Sequence, residues 1–316
     1  MTDAVVLTCY AVAVSVLLPG PLSRSGWSDR APRLAIAMWL AACASVAGSA
    51  LLALVAATVP ADAIGHGLAE LFELCTTMLA EGPGTAGWAA LVALTVGALV
   101  VGRVSACLAV VLARAGRQRR RHAEGLAVLG RPDPELGAVV VEHAEPLVYC
   151  LPGRTATTVI TTAALRSLNA EQLAAVLAHE RAHLRGRHHL VLAAGEAFAR
   201  AFPFVPLFAA ARSEVARLVE LRADDVAASR HPRVQIAAAL VGLATGRVPA
   251  FVMGAGGQSA LARVRRMLRP AAPLARRERV AWLAAVALLP GGPAAVAAVP
   301  GLAAFVAHHC HSLTLP

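Results

Sequence analysis

Four apolar runs punctuate the chain, and one mixed segment lies between the third and the fourth. The runs are Ala4 to Leu18, Leu34 to Val59, Trp88 to Ala113 and Val280 to Ala307. A membrane-spanning helix needs about 20 predominantly apolar residues. The second and third runs meet that length, the first is short, and the fourth is interrupted by Pro290-Gly291-Gly292-Pro293 and Pro300. The first run also has the length of a signal-peptide core, but such a core follows basic residues. Here Arg24, Arg30 and Arg33 come after it and none comes before. The pattern predicts three transmembrane helices within 1–113 (about 4–18, 34–59 and 88–113) and a fourth within 280–316.

Residues 114–279 read differently. Ala138 to Val141 is apolar and Val-rich, Thr157 to Thr162 is β-branched, and Pro152-Gly153 between them is a turn signal. Together they predict a hairpin or small sheet. Glu171 to Leu184 has helical periodicity, with Asn169 placed as its N-cap. A longer helical stretch is expected over roughly 189–230, broken at Pro203 and Pro206. Within it, Leu190 to Ala211 is apolar enough either to lie against or in the membrane or to be buried against a protein core. The fold class expected is a mainly α membrane protein of about four transmembrane helices, with an α+β domain inserted at 114–279.

Composition supports lipid contact. Hydrophobic residues make up 58% and charged residues 15%, with a mean hydropathy of +0.63; soluble domains carry about 25% charged residues. The net charge is +10, and every one of the 29 basic residues is Arg. The arginines gather beside the ends of apolar runs, as at an anionic membrane surface. With aromatics at only 4%, base stacking has no platform, so the lipid bilayer rather than nucleic acid is the expected partner. The clusters fall after run one, before run two, after run three and before run four. Four alternating crossings place them all on one side, which the positive-inside rule makes cytoplasmic. Segment 114–279 is then cytoplasmic, both termini lie outside, and the chain resides in the plasma membrane. Arg103, inside the third run, is expected to face the bundle or snorkel. The six cysteines occur singly, without a Cys-x-x-Cys pair. Cys75 and Cys310 share the outer side, but no disulfide is expected.

Chemistry concentrates at His179-Glu180-Arg181-Ala182-His183. Positions i and i+4 share a helix face, so two imidazoles there can grip one Zn²⁺, while Glu180 reaches toward a metal-bound water as general base. A catalytic zinc needs a third protein ligand and an open position. The candidate is Glu220, 37 residues after His183. Asp224, one turn further, can orient a ligating His through its other nitrogen. Glu196 and Glu214 are rivals for the third ligand. His188 and His189 read as capping or surface residues, because Gly186 breaks the helical pattern before them. The tail His308-His309-Cys310-His311, with His66 on the same side, is a second candidate cluster that reads as an exposed tail.

The run from Ser167 to Leu190, the Glu220-Leu221-Arg222-Ala223-Asp224 run and the upstream stretch Glu145 to Gly153 together resemble the BlaR/MecR-type membrane metallopeptidases and the related HtpX/Ste24 peptidases. The resemblance implies a zincin-like (gluzincin) domain, with His179, His183 and Glu220 as zinc ligands, Glu180 as base and Asp224 behind the ligands. It implies a protein substrate laid along an edge strand near 138–162. That substrate would be a transcriptional repressor in a signalling pathway, by likeness to the antirepressor branch, or misfolded membrane proteins, by likeness to the quality-control branch. BlaR and MecR sensors carry a penicillin-binding domain after the fourth helix, whereas this sequence ends at Pro316, so β-lactam sensing is not expected. Position 188, often Asp in the family, is His here, a departure expected to leave zinc binding intact and to bear only on a local salt bridge. A non-catalytic membrane scaffold, or a metal sensor acting through the tail, remains the alternative of a different class. Oligomeric state is not legible.

Overall fold

A computed structural model of the chain describes residues 2–58, 85–152, 157–244, 256–269 and 272–311. Most of the acidic stretch 60–87, with His66 and Cys75, lies outside the described residues, as do Gly153 of the expected turn and the side chains of His308 to His311.

The chain opens with α1 (Thr2–Leu17), two short helices α2 (Pro19–Arg24) and α3 (Trp27–Arg30), and α4 (Pro32–Thr58). A 45-residue helix, α5 (Thr85–Leu129), leads into strands β1 (Gly130–Asp133), β2 (Ala138–Val141), β3 (Val148–Leu151) and β4 (Thr157–Thr161). Then come α6 (Thr162–Ser167), α7 (Ala170–Arg185), α8 (His188–Ala201), α9 (Pro206–Ala228), α10 (Arg233–Ala244), α11 (Gly256–Leu268) and α12 (Arg276–His311). By length and composition, four stretches among the described residues can cross a membrane: Thr2–Arg24, Pro32–Ala57, Leu91–Leu129 and Arg276–Val299. The third does not stop at Ala113, because the helix continues past Arg117, Arg119, Arg120 and Arg121 to the sheet.

α12 runs through Pro290, Pro293 and Pro300 without interruption. A proline frees the carbonyl four residues before it, which in an apolar setting must find another donor. For Pro293 that carbonyl is Leu289, and it accepts from the Tyr10 hydroxyl at 2.8 Å and from Ser45. One polar residue from each of α1 and α4 thus repairs the fourth long helix.

α4 is the hub of the core. Its Trp39, Ala42 and Cys43 are buried against α1, α9 and α12, and Leu207, Phe208, Val215 and Leu218 of α9 complete the cluster. The α8–α9 hairpin therefore lies alongside the long helices, with α8 packed on α5. Arg217 donates to Asp29 at 2.6 Å, three residues before α4 begins. From there to the hairpin tip is about ten residues of α9, or about 15 Å, half the ~30 Å of a hydrocarbon layer. Arg103 accounts for itself at that tip: its Nε donates to the Ala201 carbonyl, a helix-end acceptor, at 2.6 Å. A cation at a helix C-terminus also meets the negative end of the dipole.

The sheet has the order β1-β2-β4-β3. Of the two arrangements expected for β2 and β4, a hairpin or a small sheet, the sheet is found: the two strands are parallel neighbours, with Val139 opposite Val159. The hairpins are β1–β2 and β3–β4. β1 was not foreseen, because Pro132 and two charged residues obscure it; Pro is tolerated on an edge strand. β3 forms the other edge and packs against α7.

Candidate metal centre

α7 starts at a capping box: the Asn169 side chain accepts from the Gln172 amide at 2.9 Å, and the Gln172 side chain accepts from the Asn169 amide at 3.0 Å. The cap sets the helix phase, so Ala175, Val176, Leu177 and Ala182 face inward and His179 comes with them, 8% exposed. α9 crosses this face and brings Glu220 and Asp224 to it.

Three ligand atoms converge. His179 Nε2 and His183 Nε2 are 3.1 Å apart, and the two Glu220 oxygens stand 3.5 Å from them, one each. Bonds of about 2.0–2.2 Å in a tetrahedral site place neighbouring ligand atoms about 3.3–3.6 Å apart. The trio is therefore already spaced for one small cation, and these residues can hold a metal. Asp224, fully buried, approaches His179 Nδ1 at 3.0 Å. This is an ion-pair distance at an angle short of a good hydrogen bond, so the buried Nδ1 has no full hydrogen-bond partner. An imidazole backed by a carboxylate, with its other nitrogen turned toward a second imidazole and a carboxylate, is the arrangement of a metal ligand, and here Arg263 Nη2 also comes within 3.4 Å of that nitrogen.

Electrostatics agree with that reading. Burial lowers the His179 pKa, but Asp224 and Glu220 outweigh it and raise it to about 9. His183 is lowered to about 4, chiefly by burial, with the neighbouring His179, His188 and Arg263 adding to the effect. Glu220 resists its own burial and is held down at about 2 by His179 and Arg263. Asp224 lies well below the usual carboxylate range despite burial, because Arg263 and His179 face it. Glu180 is the exception: burial lifts it above the usual range, against the pull of His179. A carboxyl so placed holds its proton more readily than one in water.

Other residues complete the centre. Arg263 of α11 grips Asp224 with two nitrogens, at 2.8 and 2.7 Å, and reaches Glu220 at 3.0 Å. Arg263 is not among the site residues expected from the sequence, yet α11 turns Ala260, Arg263, Val264 and Met267 inward, and an arginine in an i, i+3, i+4, i+7 stripe is a detectable signal. His188 corrects an expectation: it is buried rather than superficial, and its Nδ1 lies 3.0 Å from His183 Nδ1. The break at Gly186 is what brings it there. The chain reverses through Arg187, whose φ of 47° is left-handed, and a side chain at 186 would collide with the His188 ring. Cys150 of β3 lies beside Glu180, and burial, with that carboxyl adding to it, pushes its thiol up to about 12. The rivals for third ligand lie elsewhere, Glu196 with Arg200 and Arg212, and Glu214 with Arg217. His189 is partly buried and away from the cluster.

A cavity of ≈ 140 Å³ opens beside the ligands, walled by Val176, Ile236, Leu240 and Leu243. A His-His-Glu cluster that can hold a metal, an adjacent carboxyl, an apolar recess and a nearby edge strand stand together at this place. Residues 112–255 match the model of Peptidase family M48. The match takes in His179, His183 and Glu220 and supports a metallopeptidase of that family, in a chain whose long apolar helices suggest a membrane protein. No curated protein and no solved structure matches the chain.

Proposed function

We propose that the chain is an integral-membrane zinc metalloendopeptidase of the gluzincin type, with its protease segment on the cytoplasmic side. The observation that carries this is the convergence of His179, His183 and Glu220 at ligand spacing beside Glu180. Zinc suits a set of two nitrogens and one carboxylate with a fourth position open, and when bound it supplies a Lewis acid and an acidified water. Glu180 takes the proton from the attacking water and delivers it to the departing amine. Asp224 and Arg263 hold His179 and Glu220 in place throughout.

The substrate is a protein segment in extended form, lying along the outer edge of β3 by strand addition. The apolar recess receives one side chain, which favours an aliphatic residue next to the scissile bond. Resemblance to the BlaR/MecR-type peptidases makes a transcriptional repressor in a signalling pathway the substrate of first choice, and the bilayer is the standing partner.

Elemental analysis of protein purified in detergent tests the reading, with Glu180→Gln and His183→Ala beside it. About one zinc per chain is expected in the wild type and the Gln variant, with loss in the Ala variant. A wild type that neither carries nor takes up zinc at neutral pH overturns the proposal in favour of a non-catalytic scaffold.

A further inference from the structure

A second polar feature lies outside the metal centre. A cleft of ≈ 840 Å³ is bounded by the α3 end, the end of α9, the start of α10, α11 and the segment leading into α12. Five arginines and two aspartates line it. Both aspartates are already engaged, Asp29 by Arg217 and Asp225 by Arg266. Arg30 is bound to Glu278 at 2.8 Å. Arg233 spends its donors on the carbonyls of Met267 and Arg266. Arg233, Arg265 and Arg269 have no carboxylate partner among the described residues, and Nη1 of Arg266 is buried without a hydrogen-bond partner. The cleft thus carries an excess of fixed positive charge, and Arg265 and Arg269 in it have no carboxylate acceptor among the described residues.

Its position says what supplies the acceptor. Arg30 stands two residues before α4, and Pro273 stands three residues before α12. Both helices are long and apolar enough to cross a bilayer. The cleft therefore opens at the level where two such helices enter lipid, which is the headgroup layer. We infer that this cleft binds the phosphate headgroup of an anionic phospholipid, with Arg265 and Arg269 as its free cationic contacts. Arginine matches phosphate by its fork of donors, and each basic residue near an anionic leaflet adds to the attraction.

The site is coupled to the metal centre by one helix. Arg263 and Arg266 sit a turn apart on α11 and pair with consecutive residues of α9, Asp224 and Asp225. A headgroup held by Arg265 and Arg269 fastens the helix that carries Arg263.

Native mass spectrometry of the full chain in detergent, titrated with phosphatidylglycerol or phosphatidylcholine of matched acyl chains, tests the inference. The wild type should prefer phosphatidylglycerol, and Arg265→Gln/Arg269→Gln should weaken that binding about tenfold or more. Phosphatidylcholine binding should not change. Arg117→Gln/Arg120→Gln on α5 removes equal charge away from the cleft and should have little effect. Equal losses in both variants would show diffuse surface attraction, and no loss in the first would show an idle cleft; either result overturns the inference. Inorganic phosphate that raises the melting temperature of the wild type but not of the cleft variant, with no lipid preference, would reassign the cleft to free phosphate. Zinc content, measured in parallel, reads the peptidase proposal independently.

Discussion

The Nδ1 of His188 lies 3.0 Å from the Nδ1 of His183, so one ligand of the candidate centre is held by a second imidazole. The other, His179, is held by the Asp224 carboxylate at 3.0 Å. A second imidazole and a carboxylate thus stand behind the two rings, and each ring turns Nε2 to the common point.

Loss of the neutral support should weaken the metal more than the fold. His188→Ala is expected to lower zinc affinity about 10- to 100-fold, the usual cost of removing a ligand's outer partner. His188→Asp should retain most of the affinity, since a carboxylate can accept the same hydrogen. Competition with a chelator of known affinity measures both.

Gly186→Ala tests the same contact from the backbone side. The added Cβ would strike the His188 ring and approach the Ala182 carbonyl at 3.0 Å. Overpacking of this kind costs about 1–3 kcal/mol. A fall in melting temperature together with a fall in zinc affinity is expected; an unchanged affinity would separate His188 from the metal.

Asp224 is fully buried, and Arg263 is its charge partner. Removing one member of a buried pair strands the other, typically at 3–5 kcal/mol. Arg263→Ala should therefore unfold at markedly lower temperature, while Arg263→Met with Asp224→Leu should recover much of the loss without recovering zinc. Thermal unfolding in detergent, scored beside zinc content, checks the pair.

Zinc binding should depend on pH in one direction. Without metal, His179 keeps its proton up to about pH 9, whereas His183 is neutral above about 4 and Glu220 is ionised above about 2. Between about pH 5 and 9 the entering metal must displace one proton, from His179, so apparent affinity should rise about tenfold per pH unit and level off above 9. Calorimetry in buffers of different ionisation enthalpy counts that proton.

The cap of α7 makes a purely structural prediction. Asn169→Ala removes half of the capping box and should cost about 1 kcal/mol, with zinc stoichiometry preserved.

What could be read in the chain, and what could not, divides along physical lines. The helix-period spacing of His179 and His183, the cap at Asn169 and the break near Pro203 and Pro206 are local signals, and the helices lie where those signals put them. The parallel β2–β4 pairing was missed because strand partners are chosen through space, and a turn between two β-branched runs suggests a hairpin whichever neighbour each finds. His188 was misread for a related reason. Gly186 ends the helix, and nothing local shows that the chain then doubles back on the site. Arg263 and Arg103 were partly legible, each being a charge in an apolar stripe, but their partners at Asp224 and Ala201 lie in distant segments.

Arg217 is tied to Asp29 at the threshold of α4, and Glu220 follows it by less than one helical turn. On the proposed reading, the candidate centre is thereby moored close to the bilayer face. For a peptidase so placed, a target anchored in the same leaflet searches in two dimensions, at an effective concentration that a freely diffusing protein does not reach. Selection can then rest as much on where a protein is tethered, and on the length of slack chain between its tether and its cleavable bond, as on the side chains that flank that bond.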